Sequence, residues 1–295
     1  MNKKTFIRAA EFWLPDTTGT LLEFGGGFYG DAKRLQASSE KLCFGRGEGL
    51  PGQAWDSGHP VLLSNLQVPM FRRAAAALAH GLTSAVALPS FKGDQLCAVA
   101  VLFCGDDEAH AGAIEVWHNN PNDNVDLTLQ DGYYGSTGDT FEFLSRNTTF
   151  RAGTGLPGRA WDSQAPVFMP DLGRGSGFLR AESAVKVGIN RGFAVPCSSA
   201  NGDNYVLAFL SALATPIARR VDVWAPDALQ SHLVHSFGFS EDDGAELAVT
   251  QDELTFAGSM PGQVFSTGAP RLDGQTLLIP VGHQGLVTAV LGLTF

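Results

Sequence analysis

The sequence predicts an α+β fold written three times, as tandem units that are each an antiparallel sheet flanked by helices. Three observations predict it. A glycine-rich motif recurs, helical signals lie beside it, and each copy closes with two apolar runs around a turn. Residues 44–63 read FGRGEGLPGQAWDSGHPVLL and residues 150–169 read FRAGTGLPGRAWDSQAPVFM, and 12 of these 20 positions are identical. FRRAAAALAHGLTSAVALPS at 71–90 is similar to FLRAESAVKVGINRGFAVPC at 178–197, and AAEFWLPD at 9–16 to GAIEVWHN at 112–119. A weaker third copy holds VDVW at 221–224, FAGSMPGQVFSTGAP at 256–270 and TLLIPVGHQGLVTAVLGLTF at 276–295.

The copies differ in one spacing. Pro51 and Pro89 are 38 positions apart, Pro157 and Pro196 are 39 apart, and Pro261 and Pro280 only 19 apart. The third copy therefore lacks about one helix with its approach. It is expected to have no deep pocket and to pack as a degenerate repeat against the second. The domains are expected at 1–108, 109–217 and 218–295. The first joint, GDDEAHAG at 105–112, is a turn-rich loop rather than a heptad helix, so no coiled-coil rod is expected.

Each repeated piece has a physical reading. Pro51 suits the first position of a short helix, and Gly58 suits its left-handed C-terminal cap. The third copy keeps both as Pro261 and Gly268, whereas the second has Gln164 at the cap, a mildly strained choice. Gly47 and Gly49, like Gly153 and Gly155, permit tight backbone turns. Trp55, Trp161 and Phe265 recur as the aromatic anchor of that helix. Pro60, Pro166 and Pro270 open an extended stretch. FRRAAAALAHG reads as a helix ended by Gly81, and its counterpart ends at Gly188. The last two runs of each copy are apolar at nearly every position, as in strands covered on both faces.

Composition sets further limits. The 295 residues are 44% hydrophobic, which excludes global disorder. Lys plus Arg number 20 against 30 Asp plus Glu, for a net charge of −10 and a pI near 5.1. No basic run exceeds two residues, so nucleic acid is not an expected partner. The apolar stretch after Lys3 and Lys4 is broken by Arg8 and Glu11, so neither a signal peptide nor a membrane span is expected. Cys43, Cys97, Cys104 and Cys197 form no CxxC pair and have no His at metal spacing. A reduced, cytoplasmic chain is the expectation.

Taken together, F-x-x-G-x-G-L-P-G-x-A-W-x-S-x-x-P-V, then F-x-R-A, a glycine, an apolar-Pro pair and a hairpin resemble the GAF domain. The resemblance covers nearly all of the first two copies and a shortened third. It implies a six-stranded antiparallel sheet, flanking helices, a pocket between sheet and helical lid, and a role in sensing small molecules.

Comparing copies tests the candidates for chemistry. Asp56-Ser57-Gly58-His59 looks nucleophilic, but the second copy reads Asp162-Ser163-Gln164-Ala165, so it is read as a surface turn. Cys97 and Cys104, seven residues apart on one strand, are expected on opposite faces and not as a redox pair. All four cysteines are read as ordinary buried ones. Cys197-Ser198-Ser199 lacks the neighbouring His that bilin attachment in phytochrome-like GAF domains uses. The cyclic-nucleotide signature of the family is not found. What recurs is Phe71/Phe178 and Arg73/Arg180. Either arginine could grip a carboxylate or phosphate through two parallel hydrogen bonds, or pair internally with Asn65/Asp171. The candidate ligand-binding residues are Phe71, Arg73, His80, Phe178 and Arg180, with no catalytic residue, metal or identified cofactor.

The sequence thus reads as a non-catalytic sensory or regulatory protein that takes a small-molecule ligand or a regulatory partner protein, with homodimerisation implied by the family. No effector element follows the third copy, so any signal is expected to pass through contacts with another chain. A small-molecule redox enzyme, such as one with methionine sulfoxide reductase-like activity, and a purely structural interaction module stand as alternatives.

Overall fold

A computed structural model describes residues 4–105, 112–173, 175–249 and 253–295. Most of the loop expected at 105–112, including the 108/109 seam, lies outside the described residues.

Unit one holds β1 (Ile7–Pro15), β2 (Leu21–Phe28), α1 (Lys33–Ser39), β3 (Cys43–Gly45), α2 (Gly49–Ser57), β4 (Val61–Leu63), α3 (Ala74–Leu78), β5 (Ser84–Lys92) and β6 (Gln95–Cys104). Unit two repeats the series as β7 (Gly112–Asn119), β8 (Leu127–Tyr133), α4 (Asp139–Arg146), β9 (Thr149–Phe150), α5 (Gly155–Ser163), β10 (Val167–Met169), α6 (Ala181–Lys186), β11 (Arg191–Cys197) and β12 (Asn204–Ser211). Unit three holds β13 (Arg220–Pro226), β14 (Leu233–Ser240), β15 (Ala245–Glu246), α7 (Met260–Thr267), β16 (Arg271–Asp273), β17 (Thr276–His283) and β18 (Leu286–Thr294).

Each unit is a six-stranded antiparallel sheet, in the orders β3-β2-β1-β6-β5-β4, β10-β11-β12-β7-β8-β9 and β15-β14-β13-β18-β17-β16. The first and third orders match strand for strand, and the second is the same order written from its other edge. The likeness extends to irregularities. A bulge falls between Phe12 and Trp13, between Val116 and Trp117, and between Val223 and Trp224. The third copy therefore keeps a complete sheet. Among the described residues it lacks counterparts of both lid helices, where the spacing predicted one.

The repeated helix behaves as its sequence predicts at the C-terminus. Gly58, Gln164 and Gly268 all cap it in the left-handed region, at φ 69, 51 and 70. Its start lies further upstream than the proline rule placed it, because α2 and α5 begin at Gly49 and Gly155, two residues before Pro51 and Pro157. The glycine after each proline is a close-approach position. A Cβ at Gly52, Gly158 or Gly262 would lie 2.1, 2.1 or 2.3 Å from the carbonyl oxygen of Gly45, Arg151 or Thr255.

Each unit buries the two faces of its sheet differently. In units one and two the outer face carries the lid helices over a private core, built around Trp13, Leu35 and Phe71 in one and around Trp117, Phe141 and Phe178 in the other. Trp55 and Trp161 pack half-buried at the edges of these cores, and Phe265 sits in a small counterpart in unit three. The inner faces of all three sheets share one core, which includes Phe12, Val86, Val116, Phe193, Val223 and Leu291. A cavity of about 20 Å3 lies at its centre, where Leu88 and Pro89, Val195 and Pro196, and Ile279 and Pro280 meet as equivalent pairs. Among the described residues, no helix is long and apolar enough to cross a membrane.

The units form a closed ring. β4 lies beside β8, Phe168 of β10 stacks on Phe239 beside it at 4.8 Å, and β16 lies beside β2. The helix caps bind in the same cyclic order. The Gly58 carbonyl accepts from Ala200 N at 2.8 Å, the Gln164 carbonyl from Thr288 Oγ1 at 2.9 Å, and the Gly268 carbonyl from Ser90 Oγ at 2.7 Å. Unit three thus packs against unit one as well as unit two, which the sequence reading did not foresee. Each cap bond is worth about 0.5–1.5 kcal/mol net. Each buried Leu, Ile, Val or Phe of the shared core is worth about 1.5–3 kcal/mol, so apolar burial dominates closure.

Removing residues 218–295 exposes the inner faces of two sheets at once. The truncated chain is expected to aggregate or self-associate in size-exclusion chromatography. A monomeric product with an unchanged cooperative melt would contradict the shared core.

Candidate functional site

The region between sheet and lid holds the same group of side chains in units one and two. In the middle of apolar β1, Glu11 is fully buried. Arg73, at the start of α3, reaches it with Nη1 at 2.7 Å from Oε2 and Nη2 at 2.8 Å from Oε1. Trp13 Nε1 donates to Glu11 Oε1 at 2.9 Å, and Tyr29 Oη donates to Oε2 at 2.6 Å. Ser39, the last residue of α1, accepts from Arg73 Nη1. One buried ion pair thereby ties β1 to both lid helices. The guanidinium also lies over the rings of Phe71 and Phe103, at 5.1 and 5.4 Å.

Unit two repeats the polar members of this group, although Leu210 stands where unit one has Phe103. Arg180 binds Glu115, with Nη2–Oε2 at 2.8 Å, and Arg180 Nη1 also donates to Ser145 Oγ. Trp117 Nε1 and Tyr134 Oη donate to Glu115 at 3.1 and 3.0 Å. Phe178 lies 5.0 Å from the guanidinium. In unit three the acid survives as Asp222, paired with Arg220 of its own strand at 2.6 Å and with His235 Nε2 at 2.8 Å. With no lid arginine to bind, its partners come from within the sheet.

Burial is the largest single influence on each glutamate and by itself raises the pKa. The charge of Arg73 or Arg180, with hydrogen bonds from the arginine and the tyrosine, outweighs it and holds both carboxyls below the ordinary range. Burial, followed by the neighbouring carboxylate, pushes the Tyr29 and Tyr134 phenols upward, so they stay protonated donors.

Arg73, Phe71, Arg180 and Phe178 therefore lie beneath their lids, engaged with the protein's own groups. The internal partner expected for the arginines is corrected from Asn65 and Asp171 to Glu11 and Glu115. Asn65 Oδ1 instead accepts from Gln67 N, and Asp171 Oδ1 from Gly173 N, each closing a local turn. Two signals in the sequence marked the acids, a lone Glu inside an apolar strand and the recurrence of E-x-W, E-x-W and D-x-W. Pairing 9–16 with 112–119 put Glu11 one residue out of register with Glu115.

His80 lies elsewhere, beyond α3 at the rim of an open cleft of about 820 Å3 between units one and three. The cysteines are dispersed. Cys43 is exposed, Cys97 is half-buried against the cap of α7, and Cys104 and Cys197 lie in the shared core. The expectation that all four are buried is corrected at Cys43 and Cys97. A bulge between Ser90 and Phe91, which pairs Ser90 with Ala98 but Phe91 with Leu96, leaves Cys97 out of the ladder. Simple alternation therefore does not fix its direction. Among the described residues, no three His, Cys, Asp or Glu side chains group as a metal site.

No known family profile matches the sequence, and no curated protein matches it. Among solved structures the chain is similar to the nlh2 GAF domain of A. aeolicus in an inactive state, at 17% identity over 35% of this chain and 60% of that one, with a TM-score of 0.28. It is similar to a free methionine-R-sulfoxide reductase from Neisseria meningitidis in complex with its substrate, at 15% identity over 36% and 53%, with a TM-score of 0.26. It is also similar to the GAF domain of a two-component sensor histidine kinase from Bacillus halodurans, at 16% identity over 34% and 63%, with a TM-score of 0.24. The chain spans less than two thirds of each of these three structures.

Arg73→Met leaves Glu11 buried without its counter-charge, and is expected to cost about 3–5 kcal/mol in urea unfolding. The double change Glu11→Leu, Arg73→Met is expected to restore most of that loss. A carboxyl with a depressed folded pKa lends stability above its unfolded pKa and loses it as pH falls through the folded one. Both glutamates start from an ordinary value of 4.5, so their contribution is expected to be full at neutral pH and to decline below about that value. Glu11→Gln should flatten the acid limb of a stability–pH curve, and an unchanged limb would count against a native-state Glu11 carboxylate. On its own sheet architecture, the chain is three units in tandem, each a six-stranded antiparallel sheet, and among the described residues two of them carry lid helices, as the resemblance noted in the sequence implied.

Proposed function

We propose that the chain is a non-catalytic regulatory protein that binds a small molecule and passes the event on through contacts with another chain. The observation that carries this reading is the division of space. Beneath both lids, Arg73 and Arg180 are engaged by Glu11 and Glu115, while open volume lies at the seam beside His80. A buried Arg–Glu pair costs much of its own attraction in desolvation, so its role is read as fixing the position of the lid rather than adding net stability. Phe71 and Phe178 wall the same space. For Arg73 or Arg180 to meet a ligand directly, the lid must lift and the glutamate must exchange its partner for the ligand's anion.

The cysteines support a binding role over a redox one. Burial pushes the Cys97 thiol up, and it pushes Cys197 up to about 12, which disfavours the thiolate that sulfoxide reduction needs. Four unbridged cysteines fit a reducing, cytoplasmic setting.

Native purification followed by mass spectrometry is expected to reveal a co-purifying small molecule. Resupplied at about a hundred times its Kd, that molecule should add about 2.7 kcal/mol of stability. A thiol-dependent turnover abolished by Cys97→Ser or Cys104→Ser would overturn the reading in favour of an enzyme.

A further inference from the structure

Equivalent positions recur at the three seams of the ring, and at one seam they carry an ion pair that the other two lack. Between units two and three, Arg191 at the start of β11 binds Glu241 just past β14, with Nε–Oε1 at 2.9 Å. Its guanidinium lies 5.4 Å over Phe239, and both charged side chains are almost wholly buried. Strand register identifies the counterparts. Gln275 precedes β17 where Arg191 opens β11, and Gly30 lies two residues past Phe28 as Glu241 does past Phe239. Neither Gln275 nor Gly30 can form the ion pair. At that seam, between units three and one, the cleft of about 820 Å3 opens, and Gln275 and Gly30 both line it. At the seam between units one and two the counterparts are Ser84 and Gly135, and there Tyr133 Oη donates to Thr83 Oγ1 at 2.8 Å across the joint.

The cleft has an apolar wall and a cationic rim. Phe28 stacks on Phe295 with ring centroids 5.0 Å apart. Lys4, Arg8 and Arg219 line the opening with His80, against Asp31 as the acid among the lining residues. Arg8 is held by donating from Nη1 to the Gly81 carbonyl at 2.9 Å, and Arg219 by donating to Asp242 at 2.5 Å. Counting Asp31 and the Asp242 bound to Arg219, the three cations still outnumber the acids there, a local excess of positive charge on a chain of net charge −10 that favours anions.

We propose that this seam cleft is the binding site for a small organic anion, with its carboxylate or phosphate among Lys4, His80 and Arg219 and its apolar body against Phe28 and Phe295. The proposal rests on the binding role argued above and names its site and ligand class. Because the ligand bridges units one and three, binding tightens a joint that has no Arg–Glu pair.

The test uses the full-length chain in thermal-shift titrations with benzoate, AMP, citrate and inorganic phosphate, matched against the neutral compounds benzyl alcohol and adenosine. At least one organic anion is expected to raise the melting temperature saturably, and less so at high salt. Lys4→Glu, an exposed change, should weaken apparent affinity about tenfold, and Gln275→Trp, which fills the cleft without altering charge, should abolish the shift. The proposal is overturned if none of the anions stabilises the chain, or if the shift survives both variants. Stabilisation by the neutral compounds alone would defeat the anion site while leaving a binding role intact. No stabilisation by any compound, together with no co-purifying molecule, would defeat both.

Discussion

The inner faces of three sheets meet on one axis, and the rest of the structure depends on that shared burial. A six-stranded sheet with a lid on one face still has a second apolar face to cover. Here each unit covers it with its two neighbours. The equivalence of Pro89, Pro196 and Pro280 around the axis, and the cyclic order of the three cap bonds, follow from one interface used three times. A heterologous contact that closes after three copies needs no further partner. This gives the third unit its purpose. Among the described residues it has no lid but keeps all six strands, because the strands are what the ring requires.

The lids are governed by a different interaction. A carboxylate set in an apolar strand demands a counter-charge and donors for its remaining lone pairs. Arg73, Tyr29 and Trp13 supply them around Glu11, as Arg180, Tyr134 and Trp117 do around Glu115. The arginine enters from the lid, so the same polar group that would be costly unpaired fixes where the lid sits. Where the lid is missing, the acid shortens to Asp222 and draws on Arg220 and His235. Sheet faces inward and lids outward together leave the seams as the places where volume can stay open.

Much of each unit was legible in the sequence. The left-handed caps at Gly58, Gln164 and Gly268, the closing hairpins and the loss of one lid helix from the third copy follow from residue type and spacing, whereas the loss of the other lid helix does not. The ring was not legible, although its trace was present. Unbroken apolar runs such as VAVLF said that strands were covered twice, and helices account for only one cover. Nothing in residue periodicity says that the second cover is another copy of the same sheet. Arg73 and Arg180 stood out because they recur, but their partners lie more than sixty residues away and are set by strand register. His80 drew notice from its place after a helix, and its cleft, lined by Gln275 and Gly30, lies across a joint the linear order hides.

Native-state hydrogen exchange tests the ring most directly. If one core holds three sheets, the central amides of β5 and β6, β11 and β12, and β17 and β18 should open with the same free energy, equal to that of global unfolding. Exchange of β17 and β18 at a much lower free energy, with the other two units still protected, would show instead that the units fold as separate beads and that the shared core does not bind them.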